Sequence, residues 1–425
     1  DAVYSAFAHA GQKCSASSLL VLVSSAGTSE RIARQLVDAT ASLRVRLPLS
    51  LDSQMGPVVV PDDEKAVRGL TTLGSGEHWV LKPRYLGDGL WTPGIRAGVV
   101  PGSEFHLTEY FAPVIGVMRV DTLQEAIEAV NAVDYGLTSG IQTLDATELA
   151  VWLEGVQAGN LYVNRGITGA IVRRQPFGGW KRSAIGSTTK AGGPSYLLGL
   201  GEVEPARGQG GKVEQGTAAL DPRVANLCDA VSGQLDAADL AELRRALVAD
   251  AAAWRTAYGA NRDVTGLACE RNILRYREVD VVVRAGQGTA LADVVRVMAA
   301  GVRAGGFISL SVADRLPQPL QNALLAAGVQ VAVEDQGAWD ARLAELAASG
   351  GLGTRVRVIG PREETSAARW SHASRVTGGS PDIALYTGAV TACPHSELLP
   401  FLREQAVAVT NHRFGTPLDL AEGLL

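Results

Sequence analysis

The chain has 425 residues, of which 46% are hydrophobic and 20% are charged, and its formal net charge at pH 7 is −5. This balance is typical of a globular protein and offers no basic surface for nucleic acid, so no nucleic-acid partner is expected. Apolar runs long enough to cross a bilayer and a signal segment are both missing from the sequence, which predicts a cytoplasmic protein without an integral membrane segment.

The first half of the chain alternates between helix-like and strand-like segments. After a helical start over 1–10, the hydrophobic periodicity predicts a strand at 19–24, a helix at 30–43, a strand at 114–120, a helix at 122–132, a strand at 139–143, a helix at 147–158 and a strand at 160–164. Thr122 and Glu125 have the spacing of a capping box. Such alternation favours an α/β fold with a parallel, doubly wound sheet over a sandwich.

The second half repeats this alternation. The patterns predict strands at 279–283, 307–311, 329–333, 355–359, 383–386 and 406–409, with helices at 288–304, 316–327, 338–348 and 396–404. A second, Rossmann-like α/β domain follows from this order. A dinucleotide-binding domain would have the phosphate-binding pattern Gly-x-Gly-x-x-Gly between its first strand and the next helix, and this pattern is missing there. Gly351-Leu352-Gly353 precedes a strand instead of a helix, so a structural role is favoured for this domain.

A segment rich in Gly, Pro, Gln and Glu separates the two halves. It covers 202–220 and lacks periodicity, so we expect a linker between domains at 1–201 and 221–425.

The cysteines indicate one reactive site and no metal centre. Cys14, Cys228, Cys269 and Cys393 are widely separated and form no CxxC pair, which argues against a zinc site and against a disulfide framework. The histidines also lack metal-binding spacing. We expect Cys14 to be the nucleophile and the other three cysteines to be buried packing residues. The alternative is that Cys14 is itself buried, unreactive and without a catalytic role.

Several motifs follow one another in an order that resembles aldehyde dehydrogenases. They are Gly11-Gln12-Lys13-Cys14-Ser15, Met55-Gly56-Pro57, Glu109-Tyr110-Phe111-Ala112-Pro113, Asp134-Tyr135-Gly136-Leu137-Thr138 and Pro176-Phe177-Gly178-Gly179-Trp180-Lys181. The segments 159–179 and 190–194 resemble in particular the L-glutamate γ-semialdehyde dehydrogenase branch, including that module of the bifunctional proline utilisation A flavoproteins. The resemblance covers 1–200.

The second half resembles, more loosely, the extra C-terminal domain of the longer proline utilisation A proteins. The similar segments are 270–277 and 410–415. This resemblance implies an aldehyde-dehydrogenase-superfamily domain that is non-catalytic and serves as a lid and assembly element.

For the first half, the resemblance implies oxidation of L-glutamate γ-semialdehyde with NAD. Cys14 would attack the aldehyde as a thiolate, and Lys13 either favours that thiolate or points elsewhere. Glu109 would accept hydrogen bonds from the nicotinamide ribose and Phe111 would lie beside the nicotinamide. A solvated glutamate and a core phenylalanine are the alternative for these two residues.

The resemblance also implies a substrate pocket. Ser15, Gly169 and Ala170 would bind the α-carboxylate of the substrate and Phe177 would line the aldehyde pocket. For the glycine segment, an ordinary turn is the alternative.

The family's cofactor domain, general-base glutamate and oxyanion asparagine precede the cysteine motif. We therefore expect the chain to be the C-terminal part of a longer, homo-oligomeric polypeptide, with FAD confined to a proline dehydrogenase part that is missing, and to be inactive alone. Two other hypotheses stay open: cofactor-independent esterase chemistry at Cys14, and a non-catalytic scaffold.

Overall fold

The computed structural model describes residues 1–187, 189–204 and 219–425. They divide into two compact units, of which the first comprises 1–171, 266–271 and 407–425 and the second comprises 172–265 and 272–406. Most of the expected linker, 205–218, lies outside the described residues, and the domain boundaries predicted from the sequence stay a prediction.

The first unit combines short helices with a mixed sheet. Its helices are Ala2–Phe7, Ser25–Thr28, Glu30–Ala41, Glu64–Thr71, Glu104–Leu107, Leu123–Asn131 and Ala146–Gly155. Its strands are Leu19–Val23, His78–Leu81, Tyr85–Gly87, Leu90–Trp91, Gly94–Val99, Val114–Val120, Tyr135–Gly136, Thr138–Ile141, Asn160–Val163, His412–Arg413 and Thr416–Pro417.

A four-stranded sheet organises this unit. The strand Val114–Val120 lies between Leu19–Val23 and Gly94–Val99 and is parallel to both, and His78–Leu81 adds an antiparallel edge. The predicted capping box is present, because the Thr122 hydroxyl accepts from the Glu125 N–H and the Glu125 carboxylate accepts from the Thr122 N–H. The strand predicted at 114–120 and the helix after it are therefore confirmed.

A buried arginine fixes the part of this unit that leads into the Glu109 motif. Arg96 and Glu77 form an ion pair at 2.8 Å in which both side chains are only 2% exposed. The Arg96 guanidinium also lies 4.1 Å from the Phe105 ring centroid and donates to the carbonyl of Gly69. Gly69 packs against Tyr110 so closely that a Cβ would lie 2.6 Å from its ring. Arg96 therefore supports Tyr110 through Gly69.

The second unit is a five-stranded parallel sheet covered by helices. The strand order is Gln330–Val333, Ile308–Val312, Val281–Ala285, Thr354–Ile359, Ile383–Tyr386. The helices are Pro222–Asp229, Ala237–Ala253, Leu291–Ala304, Gln318–Ala326, Gln336–Ala348, Ser366–Val376 and Pro394–Leu398. This order, with the first strand of the sheet in its centre, is the doubly wound arrangement predicted from the sequence. The predicted α/β fold class is confirmed.

Two more strands contribute residues to both units, Glu270–Glu278 and Leu402–Thr410. The helix predicted at 396–404 is wrong in its second half, because the chain is extended from Leu402 onward. Pro400 has no N–H to continue a helix, and the alternating run up to Val409 extends the strand back to Leu402. Among the described residues, no helix combines the length and apolar character that crossing a membrane requires.

Replacing Arg96 by Met should lower the free energy of unfolding by about 3 to 5 kcal/mol, because Glu77 would stay buried without its partner. Urea unfolding would measure the change, with the exposed Arg34→Met as the matched control. A variant as stable as that control would contradict the role given to Arg96.

Candidate active site

Cys14 lies on an exposed turn that begins with a strained stretch of backbone. Directly after the helix Ala2–Phe7, His9, Ala10 and Gly11 have φ angles of 57°, 55° and 69°. The left-handed region is unfavourable for His and Ala, so the surrounding contacts must stabilise this reversal. The Ala16 N–H then donates to the Lys13 carbonyl at 2.9 Å and closes the turn around Cys14. The thiol is exposed.

The turn offers hydrogen-bond donors that the described residues do not use. The N–H groups of Cys14 and Ser15 and the hydroxyl of Ser15 have no hydrogen-bond partner among the described residues, although Ser15 is only 6% exposed. Unused donors beside a nucleophile are suited to an oxyanion or a carboxylate. Lys13 forms no ion pair with the described residues.

Gln12 connects this turn to the segment that contains Glu109 and Phe111. Its side-chain Nε2 donates to the Phe111 carbonyl at 3.0 Å, and its Oε1 accepts from the Val59 N–H at 2.8 Å. Next to it, Gly11 packs against the Ala112 carbonyl, where a Cβ would approach to 2.4 Å. Only glycine fits there, so two adjacent residues bring the cysteine motif and the Glu109 motif together.

Glu109 and Phe111 line a small cavity with residues of the cysteine motif. The other lining residues are Ala6, Gly11, Ala16, Ser17, Ser18, Phe105, Tyr110, Ala112 and Val114. Although Glu109 is exposed, nearby protein atoms desolvate its carboxyl and raise the pKa of Glu109, with Lys65 acting in the opposite direction. Glu109 accepts no hydrogen bond from the described residues. Phe111, with a φ of 53°, is 38% exposed.

The cavity has a carboxylate and an aromatic ring side by side in its lining, those of Glu109 and Phe111. An uncommitted carboxylate next to an exposed ring can hold a ribose and the flat ring it carries.

Ser5 connects the cysteine motif to the predicted substrate loop. This buried serine accepts from the Ser17 N–H through its carbonyl at 2.9 Å and from the Ile167 N–H through its hydroxyl at 3.1 Å. Gly169 follows with a φ of 82° and open space around its Cα. The N–H groups of Gly169 and Ala170 have no acceptor among the described residues, as expected of an anion site.

Three residues at the site were given no role by the sequence analysis. Gln12 belongs to the cysteine motif, but the residues that its side chain contacts are distant in the sequence. Ser5 lies in the predicted helix 1–10, where no sequence pattern set it apart from its neighbours. The third is Thr168, whose buried hydroxyl has no partner among the described residues. A buried polar group left without a partner is a feature of ligand sites.

A buried phenol also lies near Cys14. Burial raises the pKa of Tyr162 to about 12, and the charge of Cys14 contributes to the rise while Arg165 opposes it. Cys14 is therefore within electrostatic reach of this ring.

The structure places seven of the eight predicted site residues in the first unit. Phe177 belongs to the second unit, where it exchanges two backbone hydrogen bonds with Ala191 at 2.9 and 2.8 Å. The described residues contain no group of three or more potential metal ligands.

The prediction for the other cysteines is wrong in part. Cys228 is buried, but Cys269 is exposed and Cys393 is intermediate. Cys269 immediately precedes the strand Glu270–Glu278, and the end of a strand lies at the surface more often than its middle. The prediction used only the residue type and the spacing of the cysteines, which do not show where a strand ends.

The family model for the aldehyde dehydrogenase family matches residues 1–200. The 1-pyrroline-5-carboxylate dehydrogenase of Bacillus subtilis (strain 168) is 35% identical over 199 residues, which are 46% of this chain and 38% of that protein. The enzyme of the same name from Geobacillus kaustophilus is 33% identical over 199 residues, again 46% and 38% of the two chains.

A solved structure is similar over nearly the whole chain. Proline utilization A from Corynebacterium freiburgense is 38% identical, has a TM-score of 0.76, and is matched over 98% of this chain and 37% of its own. The similarity therefore includes the second half. The chain spans well under half the length of these relatives.

Thiol labelling of the native chain should separate the cysteines by exposure. Cys14 and Cys269 should react with iodoacetamide before Cys393, and Cys228 only after unfolding, because a buried thiol is inaccessible and burial raises its pKa. Peptide mapping by mass spectrometry would give the order. A native Cys14 as slow as Cys228 would contradict the exposed turn.

Proposed function

Since the model of the aldehyde dehydrogenase family matches residues 1–200, we propose that this chain supplies the catalytic cysteine and the substrate-binding loop of an L-glutamate γ-semialdehyde dehydrogenase. The reaction would be oxidation of L-glutamate γ-semialdehyde to L-glutamate in proline catabolism. The observation that carries the proposal is the exposed thiol on a turn with unused donors, connected through Ser5 to the loop of Gly169. The names of the relatives support the choice of substrate.

Cys14 is the nucleophile of the proposed reaction. Its thiolate forms a bond from Sγ to the aldehyde carbon while the carbonyl π electrons move to the oxygen, giving a thiohemiacetal. The unused Cys14 N–H is suited to donate to that oxyanion. Loss of a hydride leaves a thioester on Sγ, and attack by water breaks the carbon–sulfur bond and releases glutamate and the thiol.

NAD, when bound, supplies the hydride acceptor. Glu109 would hold its nicotinamide ribose and Phe111 would lie beside the nicotinamide. Because both belong to the segment that Gln12 connects to the cysteine motif, the hydride acceptor and the nucleophile share one support.

The substrate's α-carboxylate is assigned to Ser15, Gly169 and Ala170. Together they offer two backbone N–H groups and a hydroxyl that are unused among the described residues. A dicarboxylic product needs such an anion site, whereas a simple aliphatic aldehyde does not. Phe177 would line the aldehyde pocket.

Ser15→Ala in the natural full-length protein should raise KM for glutamate semialdehyde by about tenfold or more, because a hydrogen bond to a charged group contributes roughly 1.5 to 3 kcal/mol. KM for propanal, which has no carboxylate, should hardly change. Steady-state NADH formation would measure both.

Two controls accompany this measurement. The exposed Ser75→Ala should behave as the unaltered enzyme, and Cys14→Ala should give no turnover with either aldehyde. Equal effects of Ser15→Ala on both aldehydes would contradict the carboxylate site, and turnover without Cys14 would contradict the proposed function itself.

A further inference from the structure

The predicted substrate loop, 165–170, has an anchored first half and an open second half. The Arg165 carbonyl accepts from Nε2 of Gln142 at 3.1 Å, and the Ile167 N–H donates to the Ser5 hydroxyl at 3.1 Å. The last three residues of the loop make no hydrogen bond with the described residues. The contacts of the first half therefore determine where the unused donors of the second half lie.

Asn164 fixes the point at which the chain enters this loop. Its φ of 56° turns the chain directly after the strand Asn160–Val163, and asparagine tolerates this left-handed conformation better than most residues. Its Oδ1 accepts from the Thr143 N–H at 3.0 Å, and its Nδ2 donates to the Thr143 carbonyl at 2.8 Å. Arg165 therefore follows a turn that is held on both sides.

The side chain of Arg165 makes an ion pair with a residue that is distant in the sequence. Its Nη1 lies 2.5 Å from Oε2 of Glu270, and the two side chains are only 20% and 18% exposed. The guanidinium also lies 5.6 Å from the ring centroid of the buried Tyr162. A charge-assisted hydrogen bond between largely buried groups is stronger than a neutral one and is screened less by salt than a surface pair. The pair therefore connects the start of the loop to the segment 266–271 of the same unit.

Glu270 is itself held by contacts on both sides in the sequence. The carbonyl of Cys269, the residue before it, accepts from the Asn411 N–H at 2.9 Å. Arg271, the residue after it, donates from Nη2 to the Leu425 carbonyl at 2.7 Å. All of these residues belong to the first unit. The carboxylate of the ion pair therefore projects from a fixed backbone.

We propose that Arg165 and Glu270 are positioning residues for the carboxylate-binding loop. Their ion pair holds the loop where the N–H groups of Gly169 and Ala170 receive the α-carboxylate. This role rests on the proposed function and extends it, because Glu270 lies outside residues 1–200, which the family model matches. Recognition of the carboxylate thus depends on both halves of the sequence, whereas an aldehyde without a carboxylate makes no use of the loop.

Arg165→Met and Glu270→Met, each in the natural full-length protein, test this role. Each should raise KM for glutamate semialdehyde by about tenfold, the loss expected when a hydrogen bond to a charged group is weakened, and should hardly change kcat. KM for propanal should stay the same, because this substrate has no carboxylate. Steady-state NADH formation would measure these constants. Equal effects on the two aldehydes would show a purely structural pair and overturn the proposal.

Two further variants test whether the residues act as a pair. The double variant Arg165→Met with Glu270→Met should raise KM about as much as either single change, because two partners of one contact are not additive. Glu270→Gln, which keeps the size of the side chain and an acceptor for Arg165, should raise KM less than Glu270→Met. Effects that multiply in the double variant would overturn the pairing.

Glu422→Met is the matched control. Glu422 is exposed and makes no side-chain hydrogen bond or ion pair with the described residues, so KM should not change. An unchanged KM in both single variants, with the unaltered protein active, would overturn the positioning role alone. Absence of glutamate semialdehyde turnover in the unaltered protein would overturn the proposed function and this role with it.

Discussion

The side-chain amide of Gln12 holds together the parts of the first unit on which the proposed chemistry depends. Its Nε2 donates to the Phe111 carbonyl and its Oε1 accepts from the Val59 N–H. A carboxylate in this position could not donate, and an alkyl chain could do neither. Because Cys14 follows two residues later, the same amide determines where the thiol turn begins relative to Glu109 and Phe111.

Ser5 makes the complementary connection on the other side of the thiol turn. Its carbonyl and hydroxyl accept from Ser17 and Ile167, so the cysteine motif is supported from both the Glu109 segment and the loop that leads to Gly169. The backbone strain at His9 and Ala10 is consistent with this arrangement, since unfavourable φ angles persist only where surrounding contacts enforce them. The position of Cys14 thus depends on contacts made by residues other than Cys14 itself.

The sequence predicted local features well and long-range ones poorly. The strand Val114–Val120 and the Thr122 capping box follow from periodicity and spacing within a few residues. The contacts of Gln12 with Phe111 and of Ser5 with Ile167 join residues 99 and 162 positions apart, and no local pattern encodes them. The predicted helix ran past Leu402 for a related reason. An apolar run directly after a helix is compatible with either more helix or a buried strand, and periodicity alone does not distinguish the two.

The site residues themselves came from the resemblance of motifs and not from periodicity, and their roles stay a proposal. The most direct measurement is a crystal structure of the natural full-length protein with L-glutamate bound. The account predicts the α-carboxylate within hydrogen-bonding distance of Ser15 and of the Gly169 and Ala170 N–H groups, with the γ-carboxyl next to Cys14 Sγ. Glutamate bound next to Cys14 in the reverse orientation, or absent from the cysteine turn at saturation, would contradict it.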